Sequence, residues 1–488
     1  MPREPFKIIG SYAVDRDVVI NGQQTINMYE VPSPVNKEGS VLVPASGYEN
    51  KHTYGSGVVR SQFVFLTNSY YVVGNTLFEV DTNLTGVNRG TLSTSTGYVS
   101  MTANVSQVVL ADGVNIYVFD TTTNVFTTVP LPGILPTDIS SLDGWIIAIN
   151  GGSNDWYISA LNNALVWNPS DRALFSSIAG DKLKGCHVFK RRLYLFGSIS
   201  TEIWQDTGAA DFPFRRDNNF LFEHGIAAPK TVMDGFEVMM YLATNQDGPA
   251  GVMLVDGVSN PRKVSDQYVD LFFQTVSNLS DSEAIFYREN GFIFYQLSLT
   301  TDDATFVYVL NTNKWHTLED LNGDRHIATS HIYFNGKHYI GAYNSNAVYE
   351  LSYLFLTNDG QLIKGIRQAA PVFDNTHRRI RPDRFELECI PGMPDGVGNN
   401  PSKYPQMMQL INTNTAPQIF LYISRDGGRT FGNQHVATLG TLGQFNARAI
   451  FRRLGVEKGR RLVFRIEYYY TTRFYIIGAN WIYEVLPQ

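Results

Sequence analysis

The segment Ser424-Arg425-Asp426-Gly427-Gly428-Arg429-Thr430-Phe431 fits the Asp-box pattern S-x-D-x-G-x-T-[WF]. In such a hairpin the Asp carboxylate accepts turn amide hydrogens, glycine takes a positive φ and the aromatic ring packs beneath. Asp boxes recur in sialidases, so glycoside hydrolysis is one reading of the chain. The box is structural even in those enzymes, and here it occurs once, outside the repeats described below. A sialidase-like site also needs an arginine triad facing a Tyr/Glu nucleophile pair inside a propeller. Residue spacing picks out no such set.

Two runs of arginine carry the densest charge: Arg378, Arg379, Arg381 and Arg384, then Arg448, Arg452, Arg453, Arg460, Arg461 and Arg465. They read as solvated strand faces with internal ion pairs, or as an interface for an acidic protein neighbour, since guanidinium forks pair with carboxylates across interfaces. Nucleic-acid contact is the third reading. The formal net charge of −6 opposes a dedicated DNA binder, whose affinity comes from neutralising phosphates. That total hides an asymmetry. Residues 1–360 hold 22 Lys+Arg against 36 Asp+Glu, whereas residues 361–488 hold 17 against 9, and 14 of those 17 are Arg. Such a split marks a domain boundary and suggests different partners for the two parts.

Metal, nucleophile and cofactor chemistry find little support. His326, His331 and His338 are close in sequence but fall on successive strands and turns, with no carboxylate or thiol at ligand spacing, so no metal site is expected. Cys186 and Cys389 lie far apart, and a disulfide framework is not expected. Cys186 reads as a small buried strand residue. There is no Gly-x-Ser-x-Gly elbow, P-loop, HExxH, paired CxxC or EF-hand loop, and no catalytic residue or cofactor is assigned.

The elements that must position these residues are strands. Between Gly57 and Tyr353 one kind of unit recurs seven times, its innermost pieces reading GVVRSQFVFLTNSYYVVG, VSMTANVSQVVLADG, ISSLDGWIIAING, GCHVFKRRLYLFG, TVMDGFEVMMYLATN, EAIFYRENGFIFYQL and SHIYFNGKHYIGAY. Their starts step by roughly 40 to 50 residues, the period of four-stranded propeller blades. Asp112-Gly113, Asp143-Gly144, Asn290-Gly291 and Asn335-Gly336 supply the positive φ of tight hairpins. The fold class is therefore all-β, with a propeller at 46–356. Seven blades follow from the count, and six blades plus one irregular hairpin fit it as well, because ring closure often borrows a strand from the other terminus.

Residues 1–45 read as an extended arm, because Pro32, Pro34 and Pro44 bracket a stretch that cannot be helix and is poor central strand. After Leu356 the repeat stops. Residues 357–488 read as a basic antiparallel β domain and docking platform, interrupted by a Gly/Pro/Asn-rich loop at 391–417 and completed in one reading by the N-terminal arm. No apolar run reaches the length of a membrane helix, and MPREPFKIIG lacks a signal-peptide core, so no membrane anchor is expected and folding in a reducing cytoplasm is.

The segment 156–222, with WYISALNNALVWNP and RRLYLFGSISTEIWQDTGAADFPFRRDNNFLFEHGIAAPKTV, resembles the packaged-DNA stabilisation proteins of short-tailed phages, the podovirus type. SRDGGRTFGNQHVATLGTLGQFNARAIFRRLG followed by VFRIEYYYTTRFYIIGA resembles the same family, and the likeness covers about residues 140–480. It implies a virion tail component, the nozzle or hub of the head-to-tail machine, made and assembled in the host cytoplasm. It further implies a homo-hexameric ring below the portal and its adaptor that closes the DNA channel after packaging. Tailspikes or tail fibres and a tail needle or plug would attach to it, and genomic DNA would pass through its lumen without tight binding. A glycan-binding propeller and a sialidase-like hydrolase are the competing readings.

Overall fold

The computed structural model of the chain describes residues 3–176, 180–257, 260–374, 378–390, 417–439, 448–456, 461–470 and 473–486. Seven antiparallel four-stranded motifs follow one another along it. The first blade is Val59–Phe65, Asn68–Val73, Thr76–Val80 and Gly86–Thr91, and the second is Ser100–Ala103, Gln107–Ala111, Ile116–Asp120 and Val125–Val129. The third runs from Pro136–Leu142 to Asn163–Leu174 and the fourth from Gly185–Phe189 to Phe214–Phe222. The fifth is built on Val238–Asn245 and Gly248–Asp256, the sixth runs from Glu283–Glu289 to Lys314–Thr317, and the seventh starts with Ala328–Phe334, Lys337–Ala342 and Ala347–Ser352. Its outer strand is Gly47–Thr53, drawn from before the first blade and antiparallel to Ala347–Ser352. That loan closes the ring.

The core shows why the sheets circle one axis. Seven apolar clusters each sit between two consecutive blades, and the last joins Val59 and Tyr71 of the first blade to Ile332, Phe334 and Val348 of the seventh. Inner strands such as Gln107–Ala111 and Phe292–Leu299 are apolar on both faces because each face packs on a neighbouring sheet.

The inner hairpins turn as their residues dictate. Asp143-Gly144, Asn290-Gly291 and Asn335-Gly336 all take positive φ at both positions. Blades four and five use Lys190-Arg191 and Phe236-Glu237 for the same geometry, at φ 48, 60, 53 and 68. Non-glycine residues there are strained by about 1–2 kcal/mol each, which is why these turns are invisible to a search for turn dipeptides. Among the described residues the α-helix is Gln267–Phe273, capped by the Asp266 carboxylate accepting from the amides of Tyr268 and Val269.

The remaining strands make a sandwich. One sheet holds Arg3–Phe6, Met28–Pro32, Ser40–Pro44, Tyr475–Val485, Ile380–Ile390 and Ala449–Arg452. The other holds Ala13–Val14, Gly22–Ile26, Lys364–Gln368, Val463–Tyr469, Gln418–Ser424 and His435–Thr438. Phe6, Phe385, Leu387 and Trp481 from the first meet Ile366, Ile419, Leu421 and Phe464 from the second. Residues 1–45 are thus not simply an extended arm. Ser40–Pro44 pairs on both sides, with Met28–Pro32 and with Tyr475–Val485, and Pro32 and Pro44 stand at strand ends where a missing N–H costs least.

The sandwich is continuous with the propeller rather than hung from it. Gly22–Ile26 pairs in parallel with Lys314–Thr317 through Ile26 and Thr317, so the second sheet runs into the sixth blade. Asn27 reinforces this seam by donating from its side chain to the carbonyls of Glu319 and Lys364. Arg367, 1% exposed, ties the N-terminal segment down by donating to the carbonyls of Ile8, Ser11 and Gln24 and to the side chains of Gln23 and Thr25.

Candidate functional site: the basic sheet face and the propeller axis

The Asp-box residues form a closed hydrogen-bonded turn at the end of Gln418–Ser424. Asp426 accepts from the Ser424 hydroxyl at 2.6 Å, the amides of Arg429 and Thr430 at 3.0 and 2.9 Å, and the Thr430 hydroxyl at 2.6 Å. These donors hold its carboxyl well below the usual carboxylate range. Gly427 and Gly428 have φ of +79° and +104°, and the Gly428 amide donates to the Ser424 hydroxyl at 2.8 Å. Phe431 is half-buried, with the Arg465 guanidinium 5.4 Å from its ring centre. The turn docks on the N-terminal loop: Arg429 pairs with Asp17 at 2.7 Å, and a Cβ on Gly427 would stand 2.9 Å from Val19. Its polar atoms serve the fold.

The arginine runs divide. Arg384 and Arg448 converge on one carboxylate, Glu386, whose side chain is 3% exposed, at 2.8 and 2.9 Å. A third guanidinium, from Arg3 of the first strand, reaches the same group at 3.1 Å. Arg452 is exposed and lies directly across from Arg384 in the register. Arg381 pairs with Asp383 and Glu484, and Arg378 with Asp374. Arg379 and Arg453 are exposed, the latter at φ +60°. Arg461 lies apart, donating to the Val19 carbonyl beside Phe373. Arg460 and all of the 391–417 loop but Pro417 lie outside the described residues. Sequence reasoning missed Arg3 and Glu386. The alternation of charge in Arg3-Glu4 is the one local signal, and it does not disclose a partner near residue 480.

Two recesses are lined by residues of several successive blades and share Tyr98 and Pro229 in their walls. In one of them Arg60 spends its guanidinium on the carbonyls of Gly74, Thr94, Thr96 and Gly97 and on the Thr94 hydroxyl. Five bonds use all five N–H groups, leaving none for a substrate carboxylate. Arg325 lies 3.9 Å over the Tyr343 ring, and Glu283 is paired with Lys230 at 2.9 Å. The other recess is lined by Phe63, Phe65, Met101 and hydroxyl groups among others. There Asp138 is pushed up to about 6 by burial, although it accepts from the Ser100 hydroxyl and the Cys186 amide. Among the described residues neither recess assembles a triad of free guanidiniums.

The histidines separate as well. His331 Nε2 and His338 Nδ1 are 2.9 Å apart, whereas His326 Nδ1 takes Gln296 Nε2 at 2.9 Å elsewhere. Burial pushes His326 down to about 4 and His331 to about 3. Among the described residues no three His, Cys, Asp or Glu side chains are grouped to hold a metal ion. Cys186 and Cys389 are buried and unbridged, and burial pushes both thiols up. No helix among the described residues is long and apolar enough to cross a membrane.

A family model described as "Bacteriophage P22 Gp10, beta-propeller" matches residues 10–354, and another, "Bacteriophage P22 Gp10, beta-sandwich", matches residues 365–481. No curated protein matches the chain. Among solved structures it is similar to PorZ, a bacterial surface component of the type-IX secretion system of Porphyromonas gingivalis, at 12% identity and a TM-score of 0.39, over 66% of this chain and 39% of that one. It is similar to U3-55K at 9% identity and a TM-score of 0.40, over 63% of this chain and 98% of that one. The N-terminal domain of Nup159 is similar at 8% identity and a TM-score of 0.38, over 67% and 99%. Likenesses this distant carry no functional argument. The family matches span the propeller and the sandwich alike: the chain belongs to the bacteriophage P22 Gp10 family of structural phage tail proteins.

Proposed function

We propose that this protein is the nozzle of a short-tailed phage, a non-enzymatic hub that assembles as a ring of six beneath the portal adaptor. It closes the DNA channel after packaging and carries tailspikes or fibres and a needle or plug. The observation that carries this reading is the family match, which spans the propeller and the sandwich alike. In such a ring DNA travels through a lumen between subunits. The charge division supports the same reading. An acidic body lining that lumen lets DNA slide, because phosphates meet like charge, while the basic sandwich faces the adaptor. Rings of this kind close through heterologous contacts between different faces of one chain.

Virions lacking the protein test the role directly. They are expected to package DNA to full length and then lose it, and the purified chain is expected to bind duplex DNA weakly at physiological salt. Failure at packaging itself would move the protein to an earlier step. Sub-micromolar, sequence-independent DNA binding would overturn the sliding-lumen argument.

A further inference from the structure

We infer that the outer face of the six-stranded sheet of the sandwich is a binding surface for an extended, carboxylate-rich segment of a partner protein. The inference deepens the proposed docking role of the sandwich and rests on it only for the setting in which the surface works.

Strand register builds the surface. Ile482 stands opposite both Arg3 and Arg384, and Arg384 opposite Arg452, so three arginines share one cross-strand row. At about 4.8 Å per strand that row spans roughly 14 Å. The core residues Phe385, Leu387 and Trp481 alternate with it and point the other way, which puts the arginines on the face turned from the core. In the next row Asn480 stands opposite Glu386, where the guanidiniums of Arg3, Arg384 and Arg448 meet. Beside them opens a recess of about 510 Å³, lined by Arg3, Lys37, Glu386, Glu388, Arg448 and Asn480 among others.

This face holds more positive charge than its own acids answer. Glu386 and Glu388 stand against Arg3, Lys37, Arg384, Arg448 and Arg452. With Asp383 and Glu484 counted against Arg381, these described side chains together keep two positive charges in excess. Like charges directly opposite in a sheet destabilise it, and Arg384 faces Arg452 in that way. Arg384 Nε is also buried with no hydrogen-bond partner. Glu386 grips each of the three forks by one edge, and a guanidinium has five N–H groups, so donors remain to receive a second anion.

The acids on the same face select the occupant. Glu388, Asp383 and Glu484 flank the cationic row on either side, so a continuous phosphate backbone running beyond the row meets repulsion. Separate carboxylates on an extended peptide recur about 6.8 Å apart on one side and fall between those acids.

Fluorescence anisotropy of the full chain with a labelled octaglutamate peptide, in low and physiological salt, tests this. The peptide is expected to bind, more weakly as salt rises, and an Arg3→Gln/Arg452→Gln variant is expected to lose at least tenfold in affinity. Both side chains are exposed, and an unchanged melting temperature verifies folding of the variant. Arg172→Gln, at an exposed site on the third blade, is the control and should bind as the native chain does. No binding at millimolar peptide, or equal binding by the double variant, overturns the inference. So does competition by inorganic phosphate or a short DNA duplex at concentrations matching the peptide. Binding of peptide by the free chain and retention of DNA by virions are separate readouts, so this surface and the tail role can fail independently.

Discussion

Replacing Arg367 by methionine keeps side-chain length and removes the charge and every donor. The guanidinium is buried between the ends of the chain, with its shortest bonds at 2.6 Å to the Ile8 carbonyl and 2.7 Å to Gln23. Burial pushes it down to about 10, so it stays protonated at neutral pH. Hydrogen bonds to a charged donor contribute about 1.5–3 kcal/mol each before the cost of desolvating the ion is set against them. Five such bonds are not additive, and the better guide is the penalty for breaking a buried ionic network, about 3–5 kcal/mol. That is a large share of a stability of about 5–15 kcal/mol. The loss belongs to the sandwich, because the orphaned carbonyls hold the N-terminal strands to Lys364–Gln368. Urea unfolding followed by the emission of Trp481, the tryptophan of that core, reads it. Gly10 provides the cross-check: a Cβ there would stand 2.5 Å from Arg367 Nη2, so Gly10→Ala should be costly in the native chain and far cheaper beside Arg367→Met. A loss under about 1 kcal/mol for Arg367→Met would refute this account of the weld. Strict additivity of the two substitutions would refute it too.

Asp426→Ala removes four accepted hydrogen bonds from an exposed turn and should cost about 1–3 kcal/mol of sandwich stability by urea titration. It should leave no hydrolytic phenotype, and abolition of a measured sialosidase or polysaccharide hydrolase activity would contradict the structural assignment. Acid should weaken the fold from about pH 6.5 downward. His224 and His326 are pushed down to about 4, and His316 and His331 to about 3, all by burial. Such groups contribute fully above the unfolded value near 6.5 and lose that contribution as pH falls, because only the unfolded chain takes up the proton. Asp138, raised to about 6, acts in the opposite sense between about pH 6 and 4, and Glu38, Asp266, Glu289 and Glu319, also raised by burial, act with it. His338 and His435, lowered by burial, act with the four histidines. A urea midpoint that is flat or rises from pH 7 to pH 5 would disprove the balance. Charge reversal at Arg378/Arg379 or at Arg452/Arg453 should block attachment to DNA-filled heads while the circular dichroism of the propeller is unchanged, and normal attachment by both variants would place the adaptor contact elsewhere.

Local order was legible in the residues themselves. The recurring apolar strands and the Asp143-Gly144, Asn290-Gly291 and Asn335-Gly336 turns announce hairpins, because a turn dipeptide and a strand period act within a few residues. The Asp box and the charge division are readable for the same reason. Lys190-Arg191 and Phe236-Glu237 escape that reading, since blade packing on either side holds these turns in a conformation their side chains disfavour. The pairing of Gly47–Thr53 with Ala347–Ser352, and of Arg3–Phe6 with Tyr475–Val485, belongs to tertiary structure alone. So does the meeting of Arg3, Arg384 and Arg448 at Glu386. A partner hundreds of residues away is chosen by register and by which apolar face must be covered, and a shift of one residue would have turned those arginines into the core.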